Sequence, residues 1–350
     1  MAKPKRGRCA DKPSQIPAAG WLDILWRVKQ ETLQDLVGMM AAGIAFNAML
    51  ALFPTIAAII SIWALVMDPQ ELANRIVELS RYLPPDASSL INDQARKIGE
   101  STGTGLSLTA LGSVVVAMFI ASKGVLWMLI GLNVVYGEVD RRGSLRRGLI
   151  VAALTLGLIL VLLISVAFIA FFPLAIGMLG LDTLLVTVIV WLRWPVLLLV
   201  MMLVIAVFYR FGPYRRPPRW RWLSVGSIIA TLMWLIGSGG LSFYFGRVIN
   251  LSDVYGSLGA VVMLMLWFWL SAFVVLLGAE INAEMERQTI RDTTVGEPRP
   301  PGERDAYAAD TLGRKWPWRR VGRKRNASSG QDASGKSPAD QNIADQGDSL

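Results

Sequence analysis

Residues 36–67 read LVGMMAAGIAFNAMLALFPTIAAIISIWALVM, and none of these side chains is charged. About 20 helical residues cross the hydrocarbon core of a bilayer, so this run is long enough to span it. Backbone amides in hydrocarbon must be hydrogen-bonded within their own segment, which favours a helix over an isolated strand. Three more uncharged runs follow along the chain: residues 148–181, 222–246 and 254–279.

Two further apolar runs are each interrupted by a single cation. Lys123 lies within residues 101–136, and Arg193 lies within residues 183–209. The sequence therefore predicts an all-α polytopic membrane protein whose transmembrane domain, residues 38–287, contains six transmembrane helices. Their predicted bounds are residues 38–66, 105–136, 149–172, 183–209, 223–246 and 254–279.

Lys and Arg are distributed unevenly among the loops, and loops rich in cations stay on the cytoplasmic side of a membrane. The cations concentrate before the first span and within residues 141–147 and 210–221, whereas residues 173–182 contain none. Both termini are therefore predicted to be cytoplasmic. The formal net charge of +9 is explained by loops that face anionic lipid. Membrane lipids, rather than nucleic acid, are the expected partners.

The segments outside the spans have patterns of their own. Residues 1–37 are predicted to form a basic cytoplasmic N-terminus that ends in an amphipathic surface helix, because Leu22, Trp26 and Leu33 recur at helical spacing. The first outer loop, residues 67–100, is predicted to hold two short amphipathic helices, which either rest on the bilayer or act as a lid.

Residues 288–350 are rich in Pro, Gly, Ser and charge. Such a composition buries too little apolar surface to offset the entropy of ordering, so we expect a disordered cytoplasmic tail. One cluster in it combines cations with aromatic rings, and we expect it to anchor on anionic lipid, with RNA or solvent as alternatives. Its members are Arg314, Lys315, Trp316, Trp318, Arg319 and Arg320.

Ionisable side chains within membrane spans are costly and are candidates for function. Lys123 and Arg193 come from two different spans, so together they can form a site for a phosphate or carboxylate headgroup. Alternatively, their long aliphatic stems carry each charge to the membrane surface.

Six residues are candidates for a groove or hinge between the spans: Asn47, Pro54, Gly237, Gly239, Gly240 and Glu280. Proline removes a backbone hydrogen bond and kinks a helix, although such kinks can be purely structural. Glycines permit either close helix packing or local unwinding. A carboxylate at the depth of Glu280 either pairs with Lys123 or a loop arginine, or marks the end of the last span.

Several classes of catalytic site are missing from the chain. It has no histidine and one cysteine, Cys9, so His-ligated metals, His general bases and thiolate clusters are excluded. No phosphate-binding P-loop or Gly-rich nucleotide motif is present. The sequence therefore predicts no cofactor, no metal and no enzymatic activity.

Two segments resemble the YihY/BrkB family of bacterial inner-membrane proteins. One is AFNAMLALFP, residues 45–54. The other is YGSLGAV, residues 255–261, continuing through Trp267 to LGAEINA, residues 277–283. The resemblance covers roughly residues 20–290. The chain departs from the family pattern at Asn47, where an aromatic residue is usual, at Ala51, where Ser is usual, and at Lys123, where Arg is usual.

The resemblance implies a multi-pass protein of the bacterial plasma (inner) membrane that is connected with the cell envelope. Family members are linked to serum resistance and to export of lipopolysaccharide precursors. The family was also labelled ribonuclease BN, which the missing metal-site residues argue against. The resemblance supplies no catalytic residues.

These features favour a protein that translocates an anionic amphipathic, lipid-like molecule or assists its export. One alternative is a scaffold that organises envelope proteins without transporting anything. A membrane-associated ribonuclease is a further alternative that the sequence supports less.

Overall fold

The computed structural model describes residues 6–64, 106–177, 183–247 and 258–315. Within these ranges the chain is helical, and no strand is formed. The long helices are α1 (Ala18–Gln34), α2 (Val37–Ala64), α3 (Leu106–Val135), α4 (Ser144–Gly177), α5 (Thr183–Phe211), α6 (Trp220–Arg247) and α7 (Leu258–Glu286). A 3-10 turn at Pro13–Gln15 precedes them, and a short helix, α8 (Tyr307–Asp310), follows them.

The helices confirm the predicted all-α membrane architecture. Among the described residues, five helices (α3 to α7) are long and apolar enough to cross a membrane. A sixth candidate is the pair formed by α1 and the first part of α2, which is bent by 61° at the break between them. The predicted outer-loop helices fall on residues outside the described ranges, and the orientation of the termini stays a prediction.

Helix α7 is the element around which the bundle is organised, because it packs against α1, α2, α3 and α6. Its crossing with α6 is close. A Cβ atom added to Gly278 of α7 would lie 2.8 Å from the carbonyl oxygen of Gly226 in α6 and 2.8 Å from Ala230 Cβ. Asn282 joins the same two helices, since its Oδ1 accepts a hydrogen bond of 2.8 Å from Gly226 N.

Helix α1 has two different apolar faces. Ile24 and Val28 are buried beside α7, whereas Leu22, Leu25 and Leu33 are exposed. The exposed face agrees with the amphipathic surface helix predicted for this segment. The chain then turns sharply into α2 at Asp35 and Leu36, where Leu36 adopts a left-handed conformation with φ 51°.

Residues 288–315 depart from the disorder that their composition predicts. Arg304 is buried, and its guanidinium donates to the carbonyl oxygens of Ile290 at 2.8 Å and Arg299 at 3.0 Å. Thr289 Oγ1 donates to Ala10 O at 2.8 Å, which ties the segment to the N-terminal residues. Hydrogen bonds to buried backbone carbonyls order this segment, and composition alone does not register them.

Candidate functional site

One end of the helix bundle is polar, and we call it the polar end. It is formed by residues 6–36, 136–146, 209–221 and 280–315, which contact one another through hydrogen bonds and ion pairs. Many of the buried polar side chains of the described residues lie here: Asp23, Arg27, Glu280, Asn282, Glu284, Glu286, Gln288, Thr293 and Arg304.

A cavity of about 880 Å³ opens at the polar end between the loop that follows α3, the first turns of α4, the last residues of α5 and the loop that follows α5. We call it the arginine cavity. Its charged lining consists of six arginines, Arg141, Arg142, Arg146, Arg210, Arg215 and Arg216, and two acids, Glu138 and Asp305. Cations outnumber acids in its lining, so the cavity favours an anionic ligand.

Backbone carbonyl groups hold several of these arginines, although Arg142 Nε also lies 3.8 Å from Asp140 Oδ1 and Arg216 Nη1 lies 3.9 Å from Asp292 Oδ2. Arg142 donates to Gly212 O at 3.0 Å and to Pro213 O at 2.5 Å. Arg210 donates to Pro218 O at 2.7 Å, and its guanidinium lies 4.8 Å from the centre of the Trp220 ring. A carbonyl oxygen orients a guanidinium without cancelling its charge, so Arg210 remains available to an anion, whereas the charge of Arg142 is partly balanced by Asp140.

Arg215 and Glu138 are exceptions among the cavity residues. Arg215 forms a buried ion pair with Glu286, and this carboxylate raises the pKa of Arg215 even though burial by itself would lower it. Glu138 Oε1 accepts a hydrogen bond of 2.8 Å from Tyr307 N. Burial nevertheless raises the pKa of the Glu138 carboxyl. These two residues join the loops that surround the cavity.

An apolar groove of about 280 Å³ lies deeper in the bundle, between α2, α3 and α4. We call it the apolar groove. Most of its lining is apolar, and it includes Ile44, Ala48, Ala51, Leu52, Val125, Met128, Leu158, Ile159, Leu162 and Phe208. Its walls are therefore suited to a hydrocarbon chain rather than to a charged group.

The arginine cavity and the apolar groove share two helices. On α4, Ile150 lines the cavity and Thr155 lines the groove. Five helical residues advance by about 7.5 Å along the axis and turn by about 140°, so the two linings lie at neighbouring levels of α4 but on different faces of it. On α5, Arg210 lines the cavity and Phe208 lines the groove. A basic site and an apolar site therefore follow one another along the same helices.

A third cavity, of about 310 Å³, lies where the α1–α2 break meets α7. We call it the carboxyl cavity, because Glu31, Asp35 and Glu280 are among its lining residues. Glu280 is only 1% exposed. The sequence singled out Glu280 as a candidate, with Lys123 or a loop arginine as its partner. The structure instead places it next to Asp35.

Among the described residues, no contact brings Lys123 and Arg193 together into one site. Lys123 is exposed, with Nζ 4.8 Å from the centre of the Phe119 ring. Arg193 is half-buried, with its guanidinium 5.3 Å from the centre of the Trp194 ring. Neither residue lines any of the three cavities above. An anion site at these residues stays a prediction.

The groove and hinge candidates have ordinary helical surroundings. Asn47 Nδ2 donates to Gly43 O within α2 at 2.8 Å, and α2 continues past Pro54 to Ala64. Helix α6 is unbroken through the three candidate glycines, Gly237, Gly239 and Gly240. A Cβ added to Gly237 would lie 3.0 Å from the Leu270 side chain, whereas one added to Gly239 or Gly240 would meet no described atom within 4 Å.

The predicted lipid-anchoring cluster is only partly described. Arg314 and Lys315 are exposed, and the carbonyl oxygen of Arg314 accepts a hydrogen bond of 2.7 Å from Arg27 Nη1. Trp316, Trp318, Arg319 and Arg320 lie outside the described residues. Among the described side chains, no group of three or more His, Cys, Asp or Glu is placed to hold a metal ion.

The arginine cavity was not predicted from the sequence, although the arginines of both loops had been identified. Residues 141–147 and 210–221 were interpreted only as a topology signal. Two prolines in the second loop, Pro213 and Pro217, both line the cavity and could have indicated a rigid loop. Neither segment contains a signal that the two loops face each other in the folded protein.

Comparison with known proteins identifies the family. The profile of the family described as Virulence factor BrkB matches residues 28–302. The YfkH protein of Bacillus subtilis (strain 168), named as ribonuclease-like, is 28% identical over 252 residues, which cover 71% of this chain and 90% of that protein. No solved structure is significantly similar to the chain.

Two relatives carry the name UPF0761 membrane protein. The one from Verminephrobacter eiseniae is 27% identical over 269 residues, which cover 74% of this chain and 62% of that protein. The one from Alkalilimnicola ehrlichii is 24% identical over 336 residues, which cover 91% of this chain and 71% of that protein. The match therefore spans less than two thirds of the Verminephrobacter relative. Because the family profile covers most of the chain, the protein belongs to the Virulence factor BrkB family of membrane proteins.

Proposed function

We propose that this protein translocates an anionic amphipathic, lipid-like molecule across the bacterial plasma membrane or assists its export. The observation that carries the proposal is the succession of the arginine cavity and the apolar groove along α4 and α5. The anionic headgroup binds in the cavity, and the hydrocarbon part lies in the groove. The polar end faces the cytoplasm, because the cation-rich loops are there.

The size and charge of the arginine cavity support a headgroup ligand. A volume of about 880 Å³ is within the range of sites that hold small organic ligands. Arg141 and Arg146 are exposed side chains in its lining. Guanidinium groups bind phosphate through paired hydrogen bonds, so these two residues are suited to capture a phosphorylated headgroup.

Lipid translocation in proteoliposomes tests the proposal. Purified protein is reconstituted with a trace of fluorescent phosphatidylglycerol, and a membrane-impermeant quencher reports the labelled lipid that moves between leaflets. The double variant Arg141→Gln/Arg146→Gln is expected to lower the rate about tenfold or more, since a hydrogen bond to a charged group contributes about 1.5–3 kcal/mol.

The matched control is Arg147→Gln. Arg147 is exposed on the same helix as Arg146 but does not line the arginine cavity. This variant removes one positive charge where the double variant removes two, and it is expected to keep a rate close to that of the unmodified protein. Equal rates in the double variant and the control would contradict the proposal, as would a rate in the unmodified protein no higher than in protein-free vesicles. If the translocation rate fell only in the variant Lys123→Ala/Arg193→Ala, the anion site would be assigned to Lys123 and Arg193 instead.

The scaffold and ribonuclease alternatives give different outcomes in the same preparation. A scaffold would show no lipid movement and would lose its cellular role when residues 316–350 are deleted. A ribonuclease would cleave RNA in the presence of a divalent metal, as the name of the Bacillus subtilis relative suggests for that protein. We assign no catalytic chemistry to this chain.

A further inference from the structure

The carboxyl groups of Asp35 and Glu280 line the same cavity and lie within hydrogen-bonding reach of each other. Asp35 lies at the break between α1 and α2, and Glu280 lies on α7. An ionised carboxylate only accepts hydrogen bonds, so two carboxylates cannot bond to each other without a proton between them. Two negative charges at this separation also repel strongly when they are buried.

One oxygen of the Glu280 carboxyl, Oε1, has no hydrogen-bond donor among the described residues. The side chain is 1% exposed. Burying an ionised carboxylate without a partner is very costly. The same side chain borders the carboxyl cavity of about 310 Å³, which is roomy enough for several water molecules. Water in this cavity would connect the two carboxyl groups to the surface of the polar end.

The surrounding charges do not neutralise the pair. Arg27 binds Glu284, and Arg287 binds both Glu284 and Glu31, at 3.0 Å for Glu31. Both guanidiniums are therefore committed to other carboxylates. The remaining titratable groups that line the cavity are the phenols of Tyr136 and Tyr307. Near the pair, four carboxyls (Glu31, Asp35, Glu280 and Glu284) face three guanidiniums, those of Arg8, Arg27 and Arg287, so a proton held by the pair relieves the remaining negative charge.

We propose that Asp35 and Glu280 form a proton-binding site that is reached through the carboxyl cavity. One proton bridges the two carboxyl groups and thereby joins the α1–α2 break to α7. Loss of this proton leaves two carboxylates that repel each other, which favours separation of the two elements. The site requires no transported substrate, so it does not depend on the function proposed above.

Chemical labelling of the purified protein in detergent tests this site. Dicyclohexylcarbodiimide is an apolar reagent that modifies carboxyl groups in their protonated form, and the adduct is located by mass spectrometry of peptides. We expect a single adduct at Glu280 or Asp35 that stays abundant from pH 6 to pH 9, where ordinary carboxyls are ionised, and falls at least severalfold by pH 11. The measurement is made on the unmodified protein, so it does not depend on the folding of a variant.

Three variants sharpen the test, each checked for a monodisperse gel-filtration peak. Glu280→Gln is expected to abolish the adduct. Asp35→Asn removes the second negative charge, so half-loss of labelling at Glu280 is expected at a lower pH. Glu138→Gln, which changes a half-buried carboxyl outside the pair, is expected to leave labelling unchanged.

Three results would overturn the proposal. One is the absence of an adduct at both members of the pair over the whole pH range. Another is an adduct only at Glu138 or at other carboxyls. The last is protection by sodium ions at constant pH and ionic strength, with potassium as the control, which would assign the site to a metal cation instead of a proton.

Discussion

Arg215 donates through Nη2 to both carboxylate oxygens of Glu286, at 2.8 Å each, and neither side chain is exposed. Arg215 lies on the loop between α5 and α6, and Glu286 is the last residue of α7. Thr293 Oγ1 donates to the same carboxylate at 2.7 Å. One buried carboxylate thus joins the loop that lines the arginine cavity to α7 and to the segment that follows it.

Replacement of Arg215 by Ala is expected to destabilise the protein strongly. It leaves the Glu286 carboxylate buried without its cation, and breaking a buried ion pair on one side costs about 3–5 kcal/mol. The change is measured as the shift in the thermal unfolding midpoint of detergent-purified protein. The control is Arg299→Ala, because the Arg299–Asp305 pair is largely exposed and its loss should cost less than about 1 kcal/mol. Similar shifts in the two variants would contradict the assigned role of the buried pair.

Gly278→Ala is expected to disrupt the crossing of α6 and α7. The added methyl group would meet the backbone of Gly226 and the side chain of Ala230, and overpacking of this kind costs about 1–3 kcal/mol. Gly239→Ala on α6 is the matched control, since no described atom lies within 4 Å of the added carbon. Thermal unfolding and the yield of monodisperse protein measure both effects. An unchanged midpoint in Gly278→Ala would show that the helices cross less closely than described.

Asp292→Asn is expected to reduce stability in a pH-dependent way. Burial would raise the pKa of Asp292, but hydrogen bonds from Arg299 N and Thr294 outweigh it and lower this pKa below its usual value. The ionised form is therefore favoured in the folded state. Its stabilisation is complete above the ordinary pKa of an aspartate and is lost as the pH falls through the lowered value.

Unfolding midpoints of the unmodified protein and Asp292→Asn should therefore differ at about pH 7 and approach each other as the pH falls below the ordinary aspartate pKa of 3.8. The converse pattern, with equal midpoints at neutral pH and divergence in acid, would contradict the lowered pKa. Asp310→Asn serves as a comparison with a second carboxylate in the same segment.

The single cysteine allows the orientation of the N-terminus to be tested without other changes. Cys9 is exposed, and a membrane-impermeant maleimide should label it only after the membrane of intact spheroplasts is permeabilised. In a Cys9→Ser background, Gly143→Cys should behave in the same way, whereas Gly177→Cys at the opposite end of α4 should be labelled without permeabilisation. Labelling of Cys9 in intact spheroplasts would reverse the predicted topology.

The helices were predictable because each long apolar run contains its own structural signal. The predicted span at residues 183–209 corresponds to α5, Thr183–Phe211, and the span at residues 105–136 corresponds to α3, Leu106–Val135. Helix α7 is different, because it continues past the predicted end at Ala279 to Glu286. Charged residues marked the expected membrane boundary, but Arg27 and Arg215 pair with the carboxylates there and allow the helix to continue within protein.

The candidate sites were predictable only where a single residue carried the signal. Glu280 stood out as a carboxylate near the end of a span, and it is buried beside a cavity. Its neighbour Asp35 lies far away in the sequence, at a break that depends on the left-handed conformation of Leu36. The arginines of two loops form one cavity because α3 and α5 end at the same level of the bundle, which neither loop encodes.

The amino-acid sequence alone determined that this protein lies in a lipid bilayer. Its long uncharged runs can satisfy their backbone hydrogen bonds in lipid only as helices. It also determined the predicted membrane orientation, through the local distribution of Lys and Arg. Only the tertiary structure decided which charges are neutralised by an ion pair and which remain available to a ligand. That outcome depends on contacts between residues far apart in the chain, such as Arg27 with Glu284 and Asp35 with Glu280, and a local pattern contains no information about them.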